Sequence, residues 1–306
     1  MIDQRAPPNA ELHPSENLTV TPTSLAQSVE TFARLTQSLT DADLDRAWAW
    51  GDYESEGVRF AFFRVYEELR TLAVKLAQER ASNGRLPSTA QRILAFYHAA
   101  YRDLQATLLG VPVELFDYPP AEGEWFIRRV LKHIVGADAG FFAVITHALN
   151  QLRSGVAQPV ALTQAAYDAI LGIDEAQEEA ILIGPLAPFQ AFHAELHGRI
   201  LRELAGIGEQ EIDLPSIFWE SYPMSLRFRL HRFDAHMRQH IVQIDKALRD
   251  LGQEPTEARR LLRLIYAALA EVEGAAIAID DLGVDLQQQT ASAIDAFTAE
   301  IAPLLG

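Results

Sequence analysis

Apolar residues recur at three- and four-residue intervals through most of the chain, and no stretch sustains a period of two. Positions three and four apart share one face of a helix, so the pattern predicts an all-α protein. Residues 22–40 and 58–80 read as a first helical pair, closed by the turn signal Ser82-Asn83-Gly84. A third helix starts at a Ser88 cap and runs to Gly110; a fourth spans about 124–152, after the turn Tyr118-Pro119-Pro120. The connection 153–185 carries one short helix around AYDAILG and a second capped by Asp174, with Gln177 three residues on. Helices at 188–206 and 224–250 follow, the latter ending at Gly252, and two more fill the chain from Thr256 with a break near Asp280-Asp281-Leu282-Gly283.

Two helices, a long crossover and two further helices are the outline of a four-helix bundle, so residues 85–252 read as one such unit. The flanking pairs, 22–84 and 253–306, are each short for an independent core and are expected to pack either with one another, as a second, degenerate bundle, or on the central bundle. A weak internal repeat bears on this: ESEGVRFAFFRVYEELRTL (54–72) resembles PAEGEWFIRRVLKHIVGAD (120–138), with Arg64-Val65 matched to Arg129-Val130 and Glu68 opposite His133. A duplicated helical pair that lost its histidine is one reading; two amphipathic helices of similar residue types is the other.

Composition narrows the function. A formal charge of -16 argues against nucleic acid and against an anionic membrane surface, both of which select clustered Lys and Arg. With no cysteine, disulfides, thiolate nucleophiles and cysteine zinc sites are excluded, and any thiol chemistry must use a thiol brought by a substrate. Residues 1–21 form a polar, proline-containing arm without signal-peptide character, and no uncharged apolar run approaches the span of a bilayer, so a cytoplasmic location is expected.

The chemistry lies in the nine histidines. His236 and His240 stand four apart in DAHMRQHIVQ, a spacing that places two imidazoles one turn apart on one helix face, ready to share a metal. His193 and His197 in QAFHAELHGRI have the same spacing, so spacing alone does not choose between the pairs. Val242 and Ile244 continue an apolar stripe beside the first pair; Glu195, Arg199 and Glu203 near the second suggest partial exposure. His98, His147 and His231 read as capping, packing or surface residues, and His13 falls in the polar arm.

Two segments, LFDYPPAEGEWFIRRVLKHIVGADAGFF (115–142) and DLPSIFWESYPMSLRFRLHRFDAHMRQHIVQIDKALRDLG (213–252), resemble the signature halves of the DinB/YfiT-like superfamily of metal-binding four-helix bundles. The resemblance covers residues 86–252 and implies that His133, in a helix entered through a turn bearing Trp125, joins His236 and His240 as a three-histidine site. It leaves His193 and His197 on the third bundle helix, where the family has no ligands. It implies a divalent transition metal (zinc, nickel or iron), a low-molecular-weight thiol cosubstrate and an electrophilic small molecule, as in thiol S-transferases and thiol-dependent isomerases. A metal with open positions acts as a Lewis acid or favours the anion of a bound water or thiol. No general base stands out; Tyr97, Tyr101, Asp138, Arg232 and Gln239 lie near the right helices, and Arg128 and Arg129 either attract an anionic thiol or form a solvated face. The alternative is a non-enzymatic metal-binding, stress-response protein whose flanking helices make a homodimer.

Overall fold

A computed structural model describes residues 24–53, 56–218, 220 and 222–305. The polar arm, with His13, lies outside the described residues, as do Trp219 and Ser221 of the second signature segment. The architecture is all-α: among the described residues there are eleven α-helices, and the only strands are β1 (Pro215–Ser216) and β2 (Met224–Ser225), paired antiparallel.

Local signals set the helix ends. The first predicted helix, 22–40, is shorter in the structure as α1 (Leu25–Thr36), and a separate single turn, α2 (Asp41–Leu44), follows where Thr40 and Asp43 form a fresh capping box. The long α3 (Val58–Ser82) begins at Gly57, whose φ is +61° and where a Cβ would lie 2.7 Å from the Arg46 carbonyl oxygen. A side chain there would meet both backbone strain and a clash. Ser88 and Gln91 box the start of α4 (Thr89–Leu108); α5 (Ile127–Arg153) follows a short 3-10 turn. The crossover holds α6 (Gln164–Leu171), capped by Thr163, and α7 (Glu175–Ile183), boxed by Asp174 and Gln177. Then come α8 (Leu186–Leu204), α9 (Leu226–Asp250) capped by Ser225, α10 (Glu257–Ala276) capped by Thr256, and α11 (Val284–Ile301).

Two cores result. In the first, α4 and α5 each pack on α8 and α9 around Leu94, Tyr97, Ile134, Phe142, Phe233 and Met237. In the second, α1 and α3 each pack on α10 and α11 around Phe32, Phe62, Leu69, Ile265 and Ile294. The two bundles share a ring order in which the first and second helices meet the third and fourth. In this order α3 occupies the place of α5, the correspondence that sets Glu68 opposite His133. Each fully buried Leu or Phe contributes about 1.5–3 kcal/mol.

The bundles meet along α4 and α10. Small residues allow the approach: a Cβ on Gly274 would stand 3.2 Å from that of Ala95. Polar side chains lock it, with Arg102 and His98 of α4 both bonded to Glu273 of α10 and Arg263 of α10 bridging Asp103 and Asp245. Burial opposes ionisation of Glu273, but its bonds to His98 and Arg102 outweigh that and hold the carboxyl down at about 2.

Candidate metal centre

In α9 the residues Leu226, Leu230, Phe233, Met237, Ile241, Ile244 and Leu248 form a buried stripe. His236 and His240 sit at its edge, drawn in with it, and are only 7% and 6% exposed. Val242 does not continue the stripe; it is 68% exposed, because two residues past His240 the helix has turned it to solvent. On α5, His133 projects beside the buried Val130 and Ile134 and remains exposed.

These placements bring three imidazoles together. His236 Nε2 lies 3.1 Å from His133 Nε2 and 3.2 Å from His240 Nε2, and ligand nitrogens of all three lie within 4.8 Å of one another. A metal bound at about 2.0–2.1 Å separates adjacent nitrogens by about 2.9 Å at right angles and about 3.4 Å at the tetrahedral angle. The two separations made by His236 fall between those limits and the third lies within 4.8 Å, so the donor set is close to that of a metal site.

Electrostatics favours the same use. Burial, then the neighbouring His240, His133 and Arg232, lowers the His236 pKa from 6.5 to about 3. Burial and His240 also lower that of His133. Both rings are therefore neutral near pH 7, the form that binds metal.

Neighbouring side chains orient the ligands. Gln243 Oε1 lies 2.9 Å from His240 Nδ1 and accepts its proton, leaving Nε2 to face the other two rings. Trp125 packs edge-on against His133 with ring centres 5.4 Å apart, and the Arg129 guanidinium sits 4.3 Å over the Trp125 ring. Phe141 meets His236 edge-on at 5.9 Å, and Arg232 lies 5.9 Å over Phe141. The Nδ1 of His236 is buried without a hydrogen-bond partner. Gln243 was missed by the reading from sequence, although an amide three residues past a ligand on the same helix is a usable signal.

The other residues singled out from the sequence lie elsewhere. His193 and His197 are both 6% exposed, not partly exposed as their charged neighbours suggested, because α8 turns them toward α4 and α5. Tyr97 donates to Asp138 Oδ2 at 2.8 Å, and Tyr101 stacks on His197 with ring centres 3.8 Å apart. Arg128 pairs with Asp117, Gln239 is exposed, and His147 meets Gln151 on its own helix. His98 belongs to the contact between the bundles, and His231 is at the surface.

Fold and site together define a class: a four-helix bundle with a three-histidine centre formed between its second and fourth helices. Residues 97–244, a stretch that contains all three histidines, match the family model of the DinB superfamily. No curated protein and no solved structure matches the chain. Among the described residues no helix is long and apolar enough to cross a membrane.

Proposed function

We propose that the chain is a metal-dependent enzyme of the thiol S-transferase type, with His133, His236 and His240 holding a divalent transition metal: zinc, nickel or iron. The observation that carries the reading is the convergence of three imidazoles, with ligand nitrogens within 4.8 Å of one another and with one of the rings, His133, exposed. Three protein ligands leave positions for a small molecule, and the exposed side gives it a path. A metal held there supplies Lewis acidity and favours the anionic form of a bound low-molecular-weight thiol.

The surrounding residues have separable tasks. Gln243 fixes the His240 ring, and Trp125 braces His133. Arg129, exposed above Trp125, places positive charge beside the open side and draws an anionic cosubstrate toward it. The test is turnover of a chromogenic electrophile by protein loaded in turn with zinc, nickel and iron, against a panel of small thiols. Thiol-dependent turnover that disappears in His236→Ala/His240→Ala supports the proposal; its absence with every metal and thiol refutes it.

One observation favours a second reading. Tyr97 is bound to Asp138, Tyr101 is stacked on His197 and Asp138 faces His193, so none of these is free to act as a base at the triad. A protein that holds a metal without turning over a substrate, and that dimerises through its flanking helices, needs no such base. Full metal loading without thiol-dependent turnover is the result that selects this reading.

A further inference from the structure

A cavity of about 500 Å³ lies where α4 and α8 of the first bundle face α1 and α10 of the second. Its volume falls within the range typical of small-molecule sites. Leu104, Leu131 and Phe189 give it an apolar wall; Glu30, Tyr101, Tyr266 and His193 give it a polar one. None of the triad histidines lines it.

His193 is 6% exposed and its Nε2 has no hydrogen-bond partner. That atom points at Asp138 Oδ2, 3.5 Å away, and Asp138 is fully buried with its Oδ1 also unpartnered. His193 lines the cavity, and with its Nε2 turned to Asp138 the other ring nitrogen, Nδ1, is the one left for a ligand. The arrangement is rigidly backed: Tyr97 holds Asp138, and Tyr101 meets the His193 ring edge-on at 5.1 Å. A buried aspartate and histidine joined loosely to each other, beside an open cavity, have unused hydrogen-bonding capacity.

Charge narrows the ligand. Glu30 is the one charged side chain lining the cavity among the described residues, and its contact with Arg102 is loose at 3.8 Å because Arg102 is bound to Glu273. An anion would meet that carboxylate with no cation on the wall, whereas a donor group finds two acceptors, Glu30 and His193 Nδ1.

We propose that this cavity is a second ligand site, independent of the histidine triad, that takes a small apolar amine. The amine donates to His193 and is paired by Glu30; its hydrocarbon body lies on Leu104, Leu131 and Phe189. Benzylamine is the probe and benzoate, of similar size and opposite charge, its control, with binding to the full chain followed by saturation-transfer NMR and calorimetry. Saturable binding of benzylamine, absent for benzoate, is expected in wild type and equally in His236→Ala/His240→Ala, which rules out coordination at the triad. Ala194→Trp, a change at an exposed position on the cavity rim, should abolish binding while leaving the fold intact. Glu30→Gln should weaken it about threefold, the weight of one half-exposed ion pair, and His193→Phe about tenfold, that of one lost hydrogen bond. No saturable benzylamine binding, equal binding of benzoate, unchanged binding in Ala194→Trp, or loss of binding in the triad variant would each overturn the proposal.

Discussion

Replacing Gln243 by Leu removes the acceptor for His240 Nδ1, a contact of 2.9 Å, and leaves every metal-ligand candidate in place. Two costs follow. With its proton unclaimed, the ring can flip, and only one of the two flip states presents Nε2 to His236 and His133; that alone is worth about 0.4 kcal/mol. The lost hydrogen bond also lowers the basicity of the ligand and adds about 1 kcal/mol. The sum sits at the low end of the range of about 10–100-fold, or roughly 1.4–2.7 kcal/mol, that such supporting contacts carry in metal sites. The assay is a zinc competition titration against a chromophoric chelator at pH 7, with wild type and variant side by side. Gln243→Glu is the informative partner, since a carboxylate accepts the same proton and should restore or exceed wild-type affinity. An affinity of Gln243→Leu within about twofold of wild type, or a loss in Gln243→Glu as large as in Gln243→Leu, would refute the orienting role assigned to this amide.

Other expectations follow from the same geometry. Phe233 is fully buried between Tyr97 and Phe141, so Phe233→Ala should cost about 3–5 kcal/mol in denaturant unfolding. The fold favours neutral His236, with its pKa lowered from 6.5 to about 3, so the stability it confers is complete above pH 6.5 and is lost as pH falls toward 3. NMR of the metal-free protein should find the ring still neutral at pH 5. Glu273 runs on a lower window: held at about 2 against 4.5, it stabilises the charged form above pH 4.5 and loses that contribution as pH falls to 2. Glu273→Gln should cost about 1–3 kcal/mol at pH 7 by stripping Arg102 and His98 of their partner, and should flatten the stability profile between those two pH values.

What the sequence made readable, and what it hid, divides along the range of the interactions involved. The cap at Ser88 and the Asp174-Gln177 pair act within a few residues and placed their helices closely. The box at Thr40-Asp43 uses the same chemistry, yet the apolar period carries the predicted helix to residue 40, past its end at Thr36. His236 and His240 were legible as a pair because helical geometry alone sets their spacing. The convergence of His133 on them depends on how α5 and α9 pack, and only the resemblance of the segments around it pointed there. The pair at His193 and His197 shows the limit most clearly. It has the spacing of a metal site, yet His197 meets His98 at 3.2 Å and His193 faces Asp138, partners contributed by α4 and α5. The carboxylate that bonds His98 stands 175 residues further along the chain, on a helix beyond the bundle. No pattern local to QAFHAELHGRI contains that information.

The two bundles also put the weak repeat in physical terms. α3 and α5 hold the same place in rings of the same order, but Glu68, in the place of His133, is bonded to Arg64 of its own helix. The residues opposite it on α11 include Gln289 and Thr290, without an imidazole. The second bundle therefore has the frame of the first without its ligands, and it supplies α1 and α10 as walls of the amine cavity.

The central claim is that three imidazoles form a metal site, and metal content measures it directly. Protein purified without a histidine tag, in wild-type form and as His236→Ala/His240→Ala, is to be analysed for transition metals by mass spectrometry after incubation with zinc and removal of the excess. The account predicts about one equivalent in wild type and less than about 0.2 in the variant, since two of three ligands are gone. Less than about 0.2 equivalents in wild type, or equal loading of the two proteins, would contradict it.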